Sequence, residues 1–122
     1  MSDLSVLQAA IREFAAERDW NRFHTPKNLA MAVAGEAGEL LAEFQWLSEQ
    51  ESIEGMRQGG PLRDRVAAEI ADVFIYLLRL ADVAEIDLLA TVEAKMLVNS
   101  QRYPVHLARG SAEKYTQLGV DE

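Results

Sequence analysis

Four carboxylates carry the chemistry most open to reading from residue types alone. They stand in two short words, Glu36-Ala37-Gly38-Glu39 and Glu69-Ile70-Ala71-Asp72, inside the two most apolar stretches of the chain. The i, i+3 spacing puts both members of each pair on one face of a helix, with Cβ atoms about 5–6 Å apart. Between Asn28 and Ala42 the only charged residues are Glu36 and Glu39, and from Val66 to Leu78 only Glu69 and Asp72. A solvated helix face, the commonest meaning of such a word, would carry Lys and Arg as well. Like charges one turn apart cost an isolated helix about 0.2–0.5 kcal/mol, and carboxylates half withdrawn from water tend to take up protons. A divalent cation removes both penalties. The donors are all hard oxygens, with no His or Cys among them, which is the ligand set of Mg²⁺, Mn²⁺ or Ca²⁺ and not of zinc. Mg²⁺ in particular binds through a few carboxylates together with substrate phosphates.

Composition narrows what such a centre would serve. At 122 residues the chain is long enough for one domain and one core. Hydrophobic residues make up 49% of it and charged residues 26%, the balance of a globular protein. Its net charge of −8 offers no basic footprint for a nucleic-acid polymer or an anionic membrane, so a phosphate ligand would be met through metal. The absence of cysteine removes disulfides, thiol nucleophiles and zinc ribbons and fits a reducing cytoplasm. No apolar run reaches the ~18 residues of a membrane span, and no basic-then-apolar leader opens the sequence. The expectation is a soluble, cytoplasmic protein.

Helices must position the acids. Leu4, Leu7, Ile11 and Phe14 recur at helical spacing over about 15 residues. Thr25-Pro26 reads as a cap followed by proline at the first helical position, which opens a second helix running to about Leu47. Gly35 and Gly38 beside Glu36 each cost about 1 kcal/mol relative to Ala, which implies a close approach there. From Ser48 to Gly60 the polar, glycine-bearing chain reads as a long loop with the length of a lid. Pro61 opens a third helix to about Asp82, and Asp87 caps a fourth that ends near Arg102, before Pro104. Residues 105–122 read as an irregular tail. With no strand alternation the class is all-α, a four-helix bundle. The third helix is apolar over most of its circumference, from Val66 and Ile70 through Phe74, Ile75, Leu77 and Leu80, and such a helix must be covered on all sides. Four helices hardly enclose one of their own, so a homo-oligomer is predicted.

Other residues have chemistry to offer. Tyr76 and Arg79 continue the stripe of Glu69 and Asp72, and Lys95, Asn99 and Arg102 form a cationic and amide stripe fit for phosphate oxygens, though alone that stripe would be an ordinary solvated face. Trp20, Phe23, His24 and Trp46 could stack on a nucleobase, a contact worth about 1–3 kcal/mol, although a Trp in a small domain is more often core. Neither histidine follows a Glu by three, so the Glu-x-x-His motif of di-iron bundles is missing. Phosphate-cradling glycine loops and serine elbows are missing too. What remains is metal-assisted attack by water on a phosphate.

The sequence resembles the all-α nucleoside triphosphate pyrophosphohydrolases of the MazG-like branch, and among them the dCTP pyrophosphatases. The likeness runs through Glu13-Phe14-Ala15-Ala16-Glu17-Arg18-Asp19-Trp20, Phe23-His24, Asn28-Leu29, Gly35-Glu36-Ala37-Gly38-Glu39-Leu40, Phe44-Gln45-Trp46, Glu69-Ile70-Ala71-Asp72-Val73, Lys95-Met96, Asn99, Arg102-Tyr103-Pro104, His106-Leu107-Ala108-Arg109 and Lys114-Tyr115. It implies a single domain over residues 1–122 that cleaves between the α and β phosphates to give a monophosphate and pyrophosphate, with Mg²⁺ (or Mn²⁺) held by Glu36, Glu39, Glu69 and Asp72. It further implies a nucleotide pocket shaped by Trp46, Tyr76 and Asn99, with Trp20, His24, Asn28 and Tyr103 at hand, and phosphate contacts from Lys95, Arg102, Arg109 and Lys114. A homotetramer built as a dimer of dimers and a role in cleansing the deoxynucleotide pool, modified dCTP included, complete the implication. Ile11 departs from the vertebrate pattern, which has a histidine near the base at that position. Three readings stand at this point: a pyrophosphohydrolase for dCTP or a 5-modified relative, one for dUTP or a damaged purine nucleotide, and a non-catalytic helical interaction protein whose acids bind Ca²⁺ or nothing.

Overall fold

The structure, a computed structural model, describes residues 3–119. Those residues hold six α-helices and no strand: α1 (Asp3–Glu17), α2 (Pro26–Phe44), α3 (Glu49–Gln58), α4 (Pro61–Val83), α5 (Leu88–Arg102) and α6 (Val105–Ala108), with 3₁₀ turns at Asn21–Phe23 and Tyr115–Gln117. The all-α class stands, and the expected count of four helices is corrected to six.

The largest correction is α3, which occupies the stretch expected as a loop. Ser48 Oγ accepts from the Glu51 amide at 3.0 Å while Glu51 Oε1 accepts from the Ser48 amide at 3.0 Å, a reciprocal capping box that starts a helix despite its polar composition. Gly59, at φ +75°, ends it in a conformation that residues with a Cβ rarely take. The expected caps are found. Thr25 accepts from the Asn28 amide, Pro26 sits at the start of α2, and Asp87 accepts from the Ala90 amide at the head of α5. Helix α2 ends at Phe44, three residues short of the expected Leu47, where the chain turns through a Leu47 amide bond to the Phe44 carbonyl. Part of the tail expected as irregular is α6 and the second 3₁₀ turn, and residues 120–122 lie outside the described residues.

Two compact units divide the chain, residues 3–86 and 87–119. In the first, α4 is the central element, against which α1, α2 and α3 all pack, α2 most extensively. Ala15, Leu29, Val66, Leu78 and Ala81 form its fully buried core. Between α1 and α4, Gln8 Nε2 donates to the Leu78 carbonyl at 3.3 Å, and Arg12 grips Asp82 with two bonds of 2.9 and 2.7 Å. Arg65 on α4 donates to Glu43 on α2 at 2.9 Å. The close approach expected at Gly35 and Gly38 is not made within the chain, where a Cβ at either position would meet nothing within 4 Å among the described residues. It occurs instead at Gly55, where a Cβ would stand 2.5 Å from Leu62 Cδ2 as α3 crosses α4. Nor does one copy of the chain cover α4, for Ile70 keeps 52% and Phe74 44% of its surface exposed. The second unit contains α5, α6 and the turn at Tyr115–Gln117, with Arg102 stacked 4.6 Å above the Tyr115 ring and Tyr103 edge-on to it at 6.1 Å.

Candidate metal centre and adjoining cleft

The pairing of α2 with α4 turns two sequence words into one cluster. Glu36 from α2 and Glu69 and Asp72 from α4 each bring a carboxylate oxygen within 4.8 Å of the others. Glu39 lies close enough to raise the pKa of both Glu36 and Glu69, while the tight group of oxygens is formed by Glu36, Glu69 and Asp72. Oε2 of Glu36 and Oε2 of Glu69 are sealed from solvent and have no hydrogen-bond partner among the described residues. Burial, followed by the bond and charge of Glu39 and the charges of Asp72 and Glu69, pushes Glu36 up to about 7. Burial and then Glu39 raise Glu69 as well.

A hidden, unsatisfied carboxylate oxygen is costly, and evolution of a stable core would replace it. Two of them on separate helices, turned toward one space and accompanied by two further acids, fit a hard divalent cation, whose charge and coordination demand satisfy them together. Glu43 stands one turn beyond Glu39 and adds its negative field at Glu69, while Arg65 holds its carboxylate from the other side. Its position, i+4 from Glu39 on the same stripe, was the signal that could have drawn attention to it.

Asp72 belongs to a second feature. A cleft of about 220 Å³ opens beside it, walled by Ile11 and Phe14 of α1, Trp20 and His24 of the α1–α2 connection, and Ile75, Tyr76 and Arg79 of α4. Trp20 stands edge-on to Phe14 at 5.7 Å and tilted against His24 at 6.2 Å, which makes an aromatic wall with a polar tip. Of the residues expected around a nucleotide, the structure therefore brings Trp20, His24 and Tyr76 together next to the acids. Asn28 is committed to backbone, its Nδ2 donating to the Phe23 carbonyl at 3.0 Å. Trp46 lies past the end of α2, 87% exposed, and is not part of the cleft wall. Lys95, Asn99, Arg102, Tyr103, Arg109 and Lys114 belong to the second unit, the first three on α5, where the Asn99 carbonyl accepts from the Tyr103 amide. Arg79 was read only as part of a stripe, although a lone cation seven residues after Asp72 in an apolar helix is itself a signal.

Comparison with known proteins gives three independent likenesses. A model of the MazG-like family matches residues 32–118. The chain is 53% identical over 120 residues to dCTP pyrophosphatase 1 of Mus musculus, across 97% of this chain and 67% of that protein. It is 50% identical to dCTP pyrophosphatase 1 of Homo sapiens over the same shares. Among solved structures, a pyrophosphatase from Archaeoglobus fulgidus DSM 4304 superposes with a TM-score of 0.78 at 43% identity, covering 85% of this chain and 94% of that one.

Proposed function

The chain belongs to the MazG-like family, and from that premise we propose that it is a Mg²⁺-dependent nucleoside triphosphate pyrophosphohydrolase acting on dCTP or a 5-modified relative. The observation that carries this is the pair of orphaned oxygens, Glu36 Oε2 and Glu69 Oε2, in a four-acid cluster that shares Asp72 with an aromatic cleft. Glu36, Glu39, Glu69 and Asp72 would hold the cation, which would supply polarisation of phosphoryl oxygens and a lowered pKa for coordinated water. A carboxylate of the Glu36/Glu39 pair orients the attacking water and accepts its proton as the new P–O bond forms and the bond between the α and β phosphates breaks. The base lies in the cleft against Trp20, His24 and Tyr76, where an aromatic face gives about 1–3 kcal/mol of stacking. By the family resemblance Lys95, Arg102, Arg109 and Lys114 are assigned to phosphate contacts and Asn99 and Tyr103 to the nucleotide, whereas Asn28 is bound to the Phe23 carbonyl and Trp46 is exposed, neither of them in the cleft wall. Residues 1–122 act as one catalytic domain in the cytoplasm, where free deoxynucleotides are met. Its service there is removal of unwanted nucleotides from the pool.

The test is a panel of canonical and modified triphosphates incubated with and without Mg²⁺ and resolved by chromatography. The expected result is Mg²⁺-dependent release of monophosphate and pyrophosphate, fastest from dCTP or 5-methyl-dCTP. Preferred turnover of dUTP or a damaged purine would replace the substrate, and no turnover of any member would leave a binding protein.

The uncovered apolar face of α4 supports assembly, and the family resemblance points to a homotetramer made as a dimer of dimers. Light scattering coupled to size exclusion is expected to give about four times the 13.6 kDa chain mass. A monomeric mass would refute the assembly.

A further inference from the structure

Arg79 is buried to 6% exposure, and every arm of its guanidinium is engaged. Its Nε donates to His24 Nδ1 at 3.0 Å, one terminal nitrogen donates to Asn21 Oδ1 at 2.8 Å, and the other faces Asp82 Oδ2 at 3.4 Å. Asp82 is in turn clamped by Arg12 of α1, so the guanidinium is anchored directly from α4 and the α1–α2 connection and, through Asp82, indirectly from α1. Arginine donates only and does not give up its proton in a protein. The nitrogen that faces its Nε–H must therefore present a lone pair. In a neutral imidazole the single proton is then on the other nitrogen, Nε2. An imidazolium would set N–H against N–H, and His24 is accordingly held below the ordinary histidine range, by burial first and by the Arg79 charge second. His24 Nε2 has no hydrogen-bond partner among the described residues, in a ring that walls the cleft beside Asp72.

We propose that Arg79 is a positioning residue for base recognition: by occupying Nδ1 it locks His24 in the Nε2–H tautomer, so that the cleft offers a hydrogen-bond donor to an acceptor atom on the edge of the nucleobase. This rests on the reading that the base occupies this cleft. Arg79 itself needs no contact with the substrate. Its work is to remove the choice of tautomer, because a histidine free to exchange protons would present a donor to only part of the molecules that meet a given base.

The experiment combines ¹⁵N-histidine NMR with kinetics on dCTP. The chain has two histidines, so His106 serves as the internal reference. In the wild-type protein His24 is expected to show a bare Nδ1 and a protonated Nε2; a proton on Nδ1 overturns the proposal, and this needs no variant. Arg79→Met is expected to turn His24 into a tautomeric mixture and to raise KM for dCTP about twofold, the inverse of the fraction left with the Nε2–H donor in an even mixture, with kcat unchanged. Arg79→Lys, which keeps the charge and a donor at the same place, is expected to recover part of both the tautomer and KM. A tautomer that shifts while KM stays constant overturns the role of Arg79. His24→Ala then separates the two layers of argument: if it raises KM, the base is in the cleft and only the role of Arg79 falls, whereas if KM is again unmoved the placement of the base falls too.

Discussion

Asp72→Asn is expected to lower kcat by on the order of 10³-fold while leaving the helical circular dichroism spectrum that of the wild type. Among the four acids Asp72 alone belongs both to the oxygen cluster and to the cleft wall, so under the proposed function it would link cation and nucleotide. The amide keeps the shape and one carbonyl oxygen but loses the charge that a hard cation needs, and its NH₂ places donors where the cation should be. Folding should not suffer. Removing one of several mutually repelling acids relieves the metal-free cluster rather than weakening it. Glu39→Gln is expected to behave in the same way, since Glu39 acts electrostatically on both Glu36 and Glu69. Glu43→Gln is the informative comparison, because that carboxylate belongs to the same stripe but is spoken for by Arg65 at 2.9 Å. Its effect on kcat should stay within about 10–100-fold, the scale of groups that only orient a metal ligand. Equal losses at Glu43 and Asp72, measured by product formation under saturating Mg²⁺, would mean the acids act as a diffuse field and not as a ligand set.

Why were the acids legible from sequence, and α3 not? Charge inside an apolar run is a strong contrast, and helical periodicity converts i, i+3 into a shared face without any tertiary knowledge. Thr25-Pro26 and Asp87 worked for a similar reason, since a cap is a local hydrogen bond and is written in adjacent residues. The signal for α3 was equally local, the Ser48/Glu51 reciprocal pair, but its polar face and flanking glycines outweighed it. What no local pattern contains is which face meets which. The Arg79–His24 contact joins residues 55 apart in sequence, and the Arg12–Asp82 clamp that steadies it joins residues 70 apart. Trp46 shows the converse. Its place after an apolar helix suggested a pocket wall, yet in this chain it is 87% exposed, and nothing in residue type distinguishes an aromatic that lines a cleft from one that a further copy would have to cover.

Without metal the protein should lose stability as pH rises from 6.5 to about 8, and Mg²⁺ should reverse that loss. Glu36 holds its proton up to about 7 in the folded state against 4.5 ordinarily, so between those values the folded chain binds more protons than the unfolded one. Stability from this group is complete below 4.5 and disappears as pH climbs through about 7. Glu69, raised for the same reasons, acts with the same sign. Two groups work the other way at lower pH. Asp82, depressed by its bond to Arg12, stabilises above its ordinary 3.8 and is lost in acid, and His24, depressed by burial and Arg79, withdraws stability as pH falls below 6.5. Above 6.5 Asp82 no longer changes and His24 contributes only the end of its opposite-sign titration, so the carboxylate cluster sets the downward direction of the slope. A bound cation requires the ionised carboxylates, so its affinity rises through the same window and its binding releases protons. At Mg²⁺ a hundredfold above its dissociation constant the gain is about 2.7 kcal/mol, roughly 10 °C in Tm for a chain of this length. Thermal scans at pH 6.5 and 8, with and without Mg²⁺, check the slope, and calorimetry in buffers of different ionisation enthalpy checks the released protons. A melting temperature flat across the window and indifferent to Mg²⁺ would mean that the cluster holds neither proton nor cation, and with it would go the assignment of these four acids to a metal.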